Sequence, residues 1–258
     1  MEANLRNAVV LIGTSGWSYK GWDKAFYPEE IPRSQQFEFY ATQFRTVEIN
    51  NTFYRLPTLS MTRGWARRAP TGFVYAVKGS RFITHMKKIA NLDGALKKFF
   101  DCIKPLQKRT GAILWQLPPF LKKDQPRLES FLRILPRGGY HHAVEFRHGS
   151  WINDEIFSTL ERFDAAHASV SSLGMPMNLT VTSEIVYIRF HGLRNGAAHD
   201  YTRAELKPWA RHIQEQAHAG RRVFVYFNND LNVRAPANAK MPSAMIGVPA
   251  AQPLAEAA

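Results

Sequence analysis

Two apolar patterns alternate along this chain. Short runs rich in Val, Ile, Phe and Tyr occupy residues 9–14, 46–50, 73–78, 111–116, 143–147, 168–171, 185–191 and 223–228. Several are almost continuously apolar, as expected of strands covered on both faces. Between them lie longer stretches whose apolar residues recur at helical spacing: 34–44 (Phe37, Tyr40, Ala41, Phe44), 92–106 (Leu92, Leu96, Phe99, Phe100, Ile103), 127–135, 154–163 and 203–219. Ser34 and Asn153 with Asp154 stand where helices should be capped, and Gly220 where one should stop. Residues 173–184 are short and rich in Met, Pro and Thr, which predicts an irregular link there. A last short helix is expected to start near Asn238, with a mobile Ala/Pro-rich tail over 249–258.

Eight strands, most followed by a helix, within about 250 residues predict a closed α/β barrel of the (β/α)8, or TIM, type as one domain over residues 1–248. An open doubly wound sheet is the alternative, but GTSGW lacks the spacing of a dinucleotide-binding turn.

Alternate residues of a barrel strand point inward, and ligand-binding groups come from the C-terminal strand ends. That parity selects Glu48 and Asn50 on strand two, Lys78 ending strand three and Gln116 ending strand four. It adds Glu145 and Arg147 on strand five, Arg189 and His191 on strand seven, and Tyr226 and Asn228 on strand eight. Each alone is explained by a structural polar layer. Together, at one end of many strands, they predict a wet, cation-rich mouth, because isolated buried ions are costly. Lys78, Arg147 and Arg189 bring three positive charges against Glu48 and Glu145, so the mouth suits phosphate or carboxylate. Glu48, Glu145 and His191 are the candidate proton-transfer groups, and the other seven the candidate substrate-binding ones. A two-carboxylate, one-histidine metal set of Glu48, Glu145 and His191 is the competing idea, but no HExxH or comparable spacing accompanies it, and no metal is assigned. The sequence leaves any cofactor open. Trp17, Tyr19, Trp22, Phe53 and Tyr54 fall in loops on the same face. They suit stacking on a base or sugar, with rim packing the simpler use.

The composition narrows the partners. A formal charge of +13 and a pI near 10.0 admit an anionic partner, nucleic acid included. The basic pairs Lys87-Lys88, Lys97-Lys98, Lys122-Lys123 and Arg221-Arg222 are dispersed, as on an ordinary solvated surface. The single cysteine, Cys102, falls mid-helix and permits neither an internal disulfide nor a cysteine-based zinc cluster. With no signal-peptide pattern and no membrane-length apolar run, the expectation is a cytoplasmic protein without membrane contact. Nucleophile-elbow, Walker and kinase motifs do not occur.

The strand-end motifs GTSGWSYKGW, VEINNTFYRLP, Lys78 with Ile83-Thr84-His85, GAILWQLPPF, VEFRHGSW, YIRFHG with Tyr201, and YFNND occur in this order. In that order they resemble the YecE-like family, the bacterial domain of unknown function numbered seventy-two. The resemblance spans residues 10–238. It implies a TIM barrel without an established activity, distantly akin in fold to xylose isomerase and endonuclease IV barrels, which use metals and phosphate or sugar substrates. Kinship of fold does not carry function. Members often end strand six with Asp, whereas this chain has Ser169-Val170-Ser171-Ser172. The expectation is an enzyme acting on a phosphate-bearing small molecule or nucleic-acid end. The alternatives are a nucleic-acid-binding barrel without catalysis and a metal-dependent phosphoesterase- or isomerase-like activity.

Overall fold

The computed structural model describes residues 10–248. Eight parallel strands close on themselves in sequence order: β1 (Val10–Ser15), β2 (Thr46–Ile49), β3 (Val74–Lys78), β4 (Thr110–Gln116), β5 (His142–Glu145), β6 (Ala165–Ser172), β7 (Ile185–Gly192) and β8 (Arg222–Phe227), with β8 pairing back onto β1. The expected barrel is therefore present. Around it lie α1 (Gln36–Gln43), α2 (Asn51–Tyr54), α3 (Leu59–Arg68), α4 (Ala95–Ile103), α5 (Gln125–Ile134), α6 (Asp154–Arg162), α7 (Arg203–His218) and α8 (Arg234–Ile246). The link from β6 to β7 forms no helix, as its composition predicts.

The pleat sorts the side chains. Val47, Ile49, Val77, Ile113, Val144 and Ile188 face outward, where they pack with helix residues such as Phe37, Phe99, Leu128 and Leu206. Each fully buried side chain of this size contributes about 1.5–3 kcal/mol relative to exposure. The inward residues form a second, smaller cluster. Five alanines (Ala76, Ala112, Ala143, Ala166, Ala168) leave room that Tyr187, Phe224 and Tyr226 fill. This apolar plug fills the barrel below the charged inward residues Glu48, Lys78, Glu145 and Arg189.

Helix ends follow ordinary chemistry. The Asn153 side chain accepts from the Ile156 N–H, and Thr202 with Glu205 forms a reciprocal cap on α7. Gly220 ends α7 at φ +81°, as its position suggested. Ser34 does not cap α1 with its side chain; it lies inside a 3-10 turn over Arg33–Gln35. Cys102 is in α4 as expected. α8 begins at Arg234 rather than near Asn238, because Pro236 falls within the first turn, where its missing N–H costs nothing. The expected strand start at Val9 and the tail over 249–258 lie outside the described residues. No helix among the described residues is long and apolar enough to cross a membrane.

Candidate functional site

Glu48, Lys78, Gln116, Glu145 and Arg189 meet at the C-terminal end of the barrel, and Arg189 is their centre. Its Nη2 donates to Glu48 Oε1 at 2.7 Å and its Nη1 to Glu145 Oε2 at 2.6 Å. All three side chains are fully buried. Planar, five-donor guanidinium geometry lets one cation bridge carboxylates from β2 and β5. The remaining acceptor sites are engaged as well. Ser15 Oγ donates to Glu48 Oε1 at 2.8 Å and the Tyr187 hydroxyl to Oε2 at 2.6 Å. Arg147 Nη1 donates to Glu145 Oε1 at 3.1 Å. Gln116 Oε1 accepts a longer bond, 3.4 Å, from Arg189.

His191 lies 3.2 Å from Glu145 Oε1 through Nε2, while its Nδ1 accepts from the Asn228 amide nitrogen at 3.2 Å. Nε2 also lies 3.2 Å from Arg189 Nη1, so this nitrogen faces a donor and an acceptor carboxylate at once. Burial drives the imidazole down to about 4, which keeps it uncharged near neutrality.

The electrostatics differ from group to group. Burial pushes the Glu48 carboxyl upward, but Arg189, Lys78 and the Tyr187 hydrogen bond outweigh it and hold it below the usual range. Burial also opposes ionisation of Glu145, where Arg189, His191 and Arg147 prevail and hold it well below. Both glutamates are carboxylates at neutral pH. Arg189 is also desolvated, and its two carboxylates more than compensate, raising it further. Lys78 follows the opposite course. Burial and the facing Arg189 bring its ammonium from 10.5 to about 8. Only 8% of it is exposed, and its Nζ sits 4.3 Å above the Phe53 ring. Among the described residues no carboxylate pairs with it directly, since Glu48 and Glu145 are committed to their other partners. Thr52 Oγ1 donates to the Lys78 carbonyl at 2.6 Å and fixes the strand end. Gly79 then lets the chain pass close against Trp115, because a Cβ there would lie 2.3 Å from its ring.

Three sequence expectations change. Tyr226 is not at the mouth. It is fully buried in the apolar plug, and its hydroxyl lies 2.7 Å from Thr46 Oγ1. It pairs in register with Gly13, one inward layer below the strand end. Asn50 leaves β2 in a helical conformation and lines a cavity of about 290 Å³ with Trp17, Ser18, Tyr19, Tyr54 and Trp65. Its Oδ1 is buried without a partner among the described residues. Arg147 lies beyond β5, not within it, yet keeps the inward parity and stays 25% exposed.

Glu48, Glu145 and His191 do not bring three donor atoms to one point, because Arg189 stands between the carboxylates. Among the described residues the one grouping with ligand spacing is His141, Asp164 and Glu184, at the opposite end of the barrel. It shares a cavity with Arg137, Arg162 and Arg222, a positive setting that disfavours a cation. The N–H groups of the Gly13–Gly16 turn are also engaged: Thr14 donates to the Tyr40 hydroxyl at 3.0 Å and Gly16 to the Glu48 carbonyl at 2.8 Å. His142 and His148 make structural hydrogen bonds elsewhere. Ser171, near the end of β6, accepts from the Tyr201 hydroxyl at 2.8 Å.

Sequence reasoning missed Tyr187 and Ser15. Tyr187 stands two residues before Arg189 with the same parity, and Ser15 pairs in register with Glu48. Stepping back along the strand finds the first. The second needs the register.

Comparison with known proteins covers nearly the whole chain. The family model described as "Protein of unknown function DUF72" matches residues 11–258. UPF0759 protein YunF of Bacillus subtilis (strain 168) is 24% identical over 267 residues, spanning 90% of this chain and 93% of its own. The crystal structure of a DUF72 family protein from Thermotoga maritima MSB8 is 28% identical, with a TM-score of 0.84 over 93% of this chain and 99% of that one. A DUF72 family protein from Enterococcus faecalis V583, 16% identical, matches in fold with a TM-score of 0.78 over 93% and 96%.

Proposed function

The chain belongs to the DUF72 family, and from that premise we propose that its barrel mouth binds an anionic, phosphate-bearing small molecule and transfers a proton within it. The observation that carries this reading is the uncompensated cation Lys78. Two carboxylates face Arg189, Arg147 and Lys78, which leaves one positive charge with no partner. A desolvated ammonium in this position is relieved by an incoming anion. Arg147, the more exposed guanidinium, offers further donors at the rim, while the Gln116 amide contacts Arg189 and the Asn228 amide contacts His191.

In this reading Glu48 and Glu145 are not the acids. Both are ionised and hydrogen-bonded, and their work is to hold Arg189 and set the field. His191 stays neutral and orients Glu145. Lys78 is the mouth group that titrates nearest to working pH, so it moves the proton. The YecE-like label remains a reading of the motifs within the family.

Thermal denaturation tests the binding. Inorganic phosphate and phosphorylated metabolites should raise the midpoint of the wild type, by about 2.7 kcal/mol of stability at a hundredfold excess over Kd. Arg147→Met and Lys78→Met should each remove most of that response. A wild-type midpoint indifferent to every phosphorylated compound would refute the reading.

A second reading draws on the rim. Lys87, Lys88, Lys122 and Lys123 surround the same face, with Lys87 over Phe82 and Lys88 over Phe120. Both rings are well exposed. This surface suits a nucleic-acid end entering the mouth. Salt-dependent retention on single-stranded DNA, lost on charge reversal of Lys87 and Lys88 but not on Glu48→Gln, would favour it.

A further inference from the structure

We propose that Lys78 is a carbonyl-condensing amine, which forms an imine with a small aldehyde or ketone that also carries a phosphate or carboxylate. The proposal rests on the anion-binding reading above and names a substrate class for it. Three features of the geometry support it. Lys78 ends β3 with inward parity, only 8% of the residue is exposed, and its ammonium lies within the field of Arg189, Glu48, Glu145 and Arg147. It lies over the Phe53 face at 4.3 Å and makes no ion pair among the described residues. Two guanidiniums, Arg189 and Arg147, act on it from β7 and from just past β5, together with the carboxylates Glu48 and Glu145. An amine without a counterion, in a dry site next to other cations, holds a reactive lone pair at a pH where surface lysines are ammonium.

The step balances without an oxidant or reductant. The ammonium first gives a proton to solvent. The Nζ lone pair attacks the carbonyl carbon, a C–N bond forms, and the carbonyl π pair moves to oxygen; one nitrogen proton passes through solvent to that oxygen, which gives the neutral carbinolamine. Solvent then protonates the hydroxyl, the C–O bond breaks as water leaves, the nitrogen lone pair forms C=N, and the remaining nitrogen proton returns to solvent. The ring of Phe53 keeps bulk water from one face of the imine, and Arg147 is placed to hold the anionic group.

The test uses pyridoxal 5′-phosphate, an aldehyde bearing a phosphate, with cyanoborohydride to fix any imine and peptide mapping to locate it. Phosphate-free pyridoxal is the parallel probe. Lys78 should be modified at least tenfold faster than exposed lysines such as Lys97. The rate should climb as pH rises through about 8, and inorganic phosphate should protect. Modification spread over surface lysines with the Lys78 peptide intact overturns the proposal. If inorganic phosphate still raises the thermal midpoint in that case, the anion site stands and only the imine falls. If both probes modify Lys78 equally and phosphate neither protects nor stabilises, the imine stands and the anion reading falls. Phe53→Ala gives a second measurement that leaves Lys78 in place: water reaches the amine, and the rate advantage over Lys97 should shrink severalfold. An unchanged advantage counts against the proposal.

Discussion

The two ends of this barrel hold similar groups and use them differently. At the mouth, Glu48 and Glu145 grip Arg189 with all three side chains fully buried. At the foot, His141, Asp164 and Glu184 stand just before β5, β6 and β7, with His141 Nδ1 3.1 Å from Glu184 Oε1 and the glutamate largely exposed. Distances are comparable, but solvent decides the consequence. In water an ion pair contributes about 0–1 kcal/mol, whereas a buried partner cannot be removed without stranding its opposite charge. The mouth can therefore hold ionised glutamates, a neutral histidine and a depressed lysine at once. The foot has no comparable hold on its groups.

That contrast is easiest to break at its centre. Arg189→Met should cost about 3–5 kcal/mol in urea unfolding, because two buried carboxylates lose their cation. Adding Glu48→Gln and Glu145→Gln to the same chain should restore much of it. A loss below about 1 kcal/mol would show that the network is not buried as described.

Lys78→Met should act the other way. The folded ammonium sits near 8 and the unfolded one near 10.5, so below pH 8 the fold carries a buried charge that it disfavours. Replacing it with a similar-sized apolar chain should stabilise the protein at pH 7 by up to roughly 3 kcal/mol. Between pH 8 and 10.5 the unfolded chain binds the extra proton, so wild-type stability should climb across that window on this account, and the variant should lack the climb. Destabilisation of the variant at pH 7 would instead make Lys78 a structural part of the network.

The smallest effect belongs at the foot. Glu184→Gln should change stability by no more than about 0.5 kcal/mol at neutral pH. A larger loss there would erase the distinction between the ends.

Strand parity made most of the mouth legible. Glu48, Glu145, Arg189 and Lys78 follow from counting by two to the strand end, and the barrel follows from the alternation of short apolar runs with helical stretches. What parity cannot give is distance across the barrel. Nothing in the chain order says that Arg189 lies between the glutamates, a placement that makes both of them its counterions. Depth along the strand was hidden too. Tyr226 has inward parity like Asn228 but sits one layer lower, where alanines from neighbouring strands leave space for its ring. β6 was read too short because Ala165 and Ala166 are small and carry no strand signal, although the barrel interior requires small residues there.

The most direct test of the central claim is an NMR titration of the Lys78 ε-carbon, labelled with carbon-13 and assigned by its absence in Lys78→Met. The midpoint should lie near 8 in the free protein and move upward when inorganic phosphate is added, because a bound anion favours the ammonium. A midpoint near the ordinary 10.5, unmoved by phosphate, would contradict it.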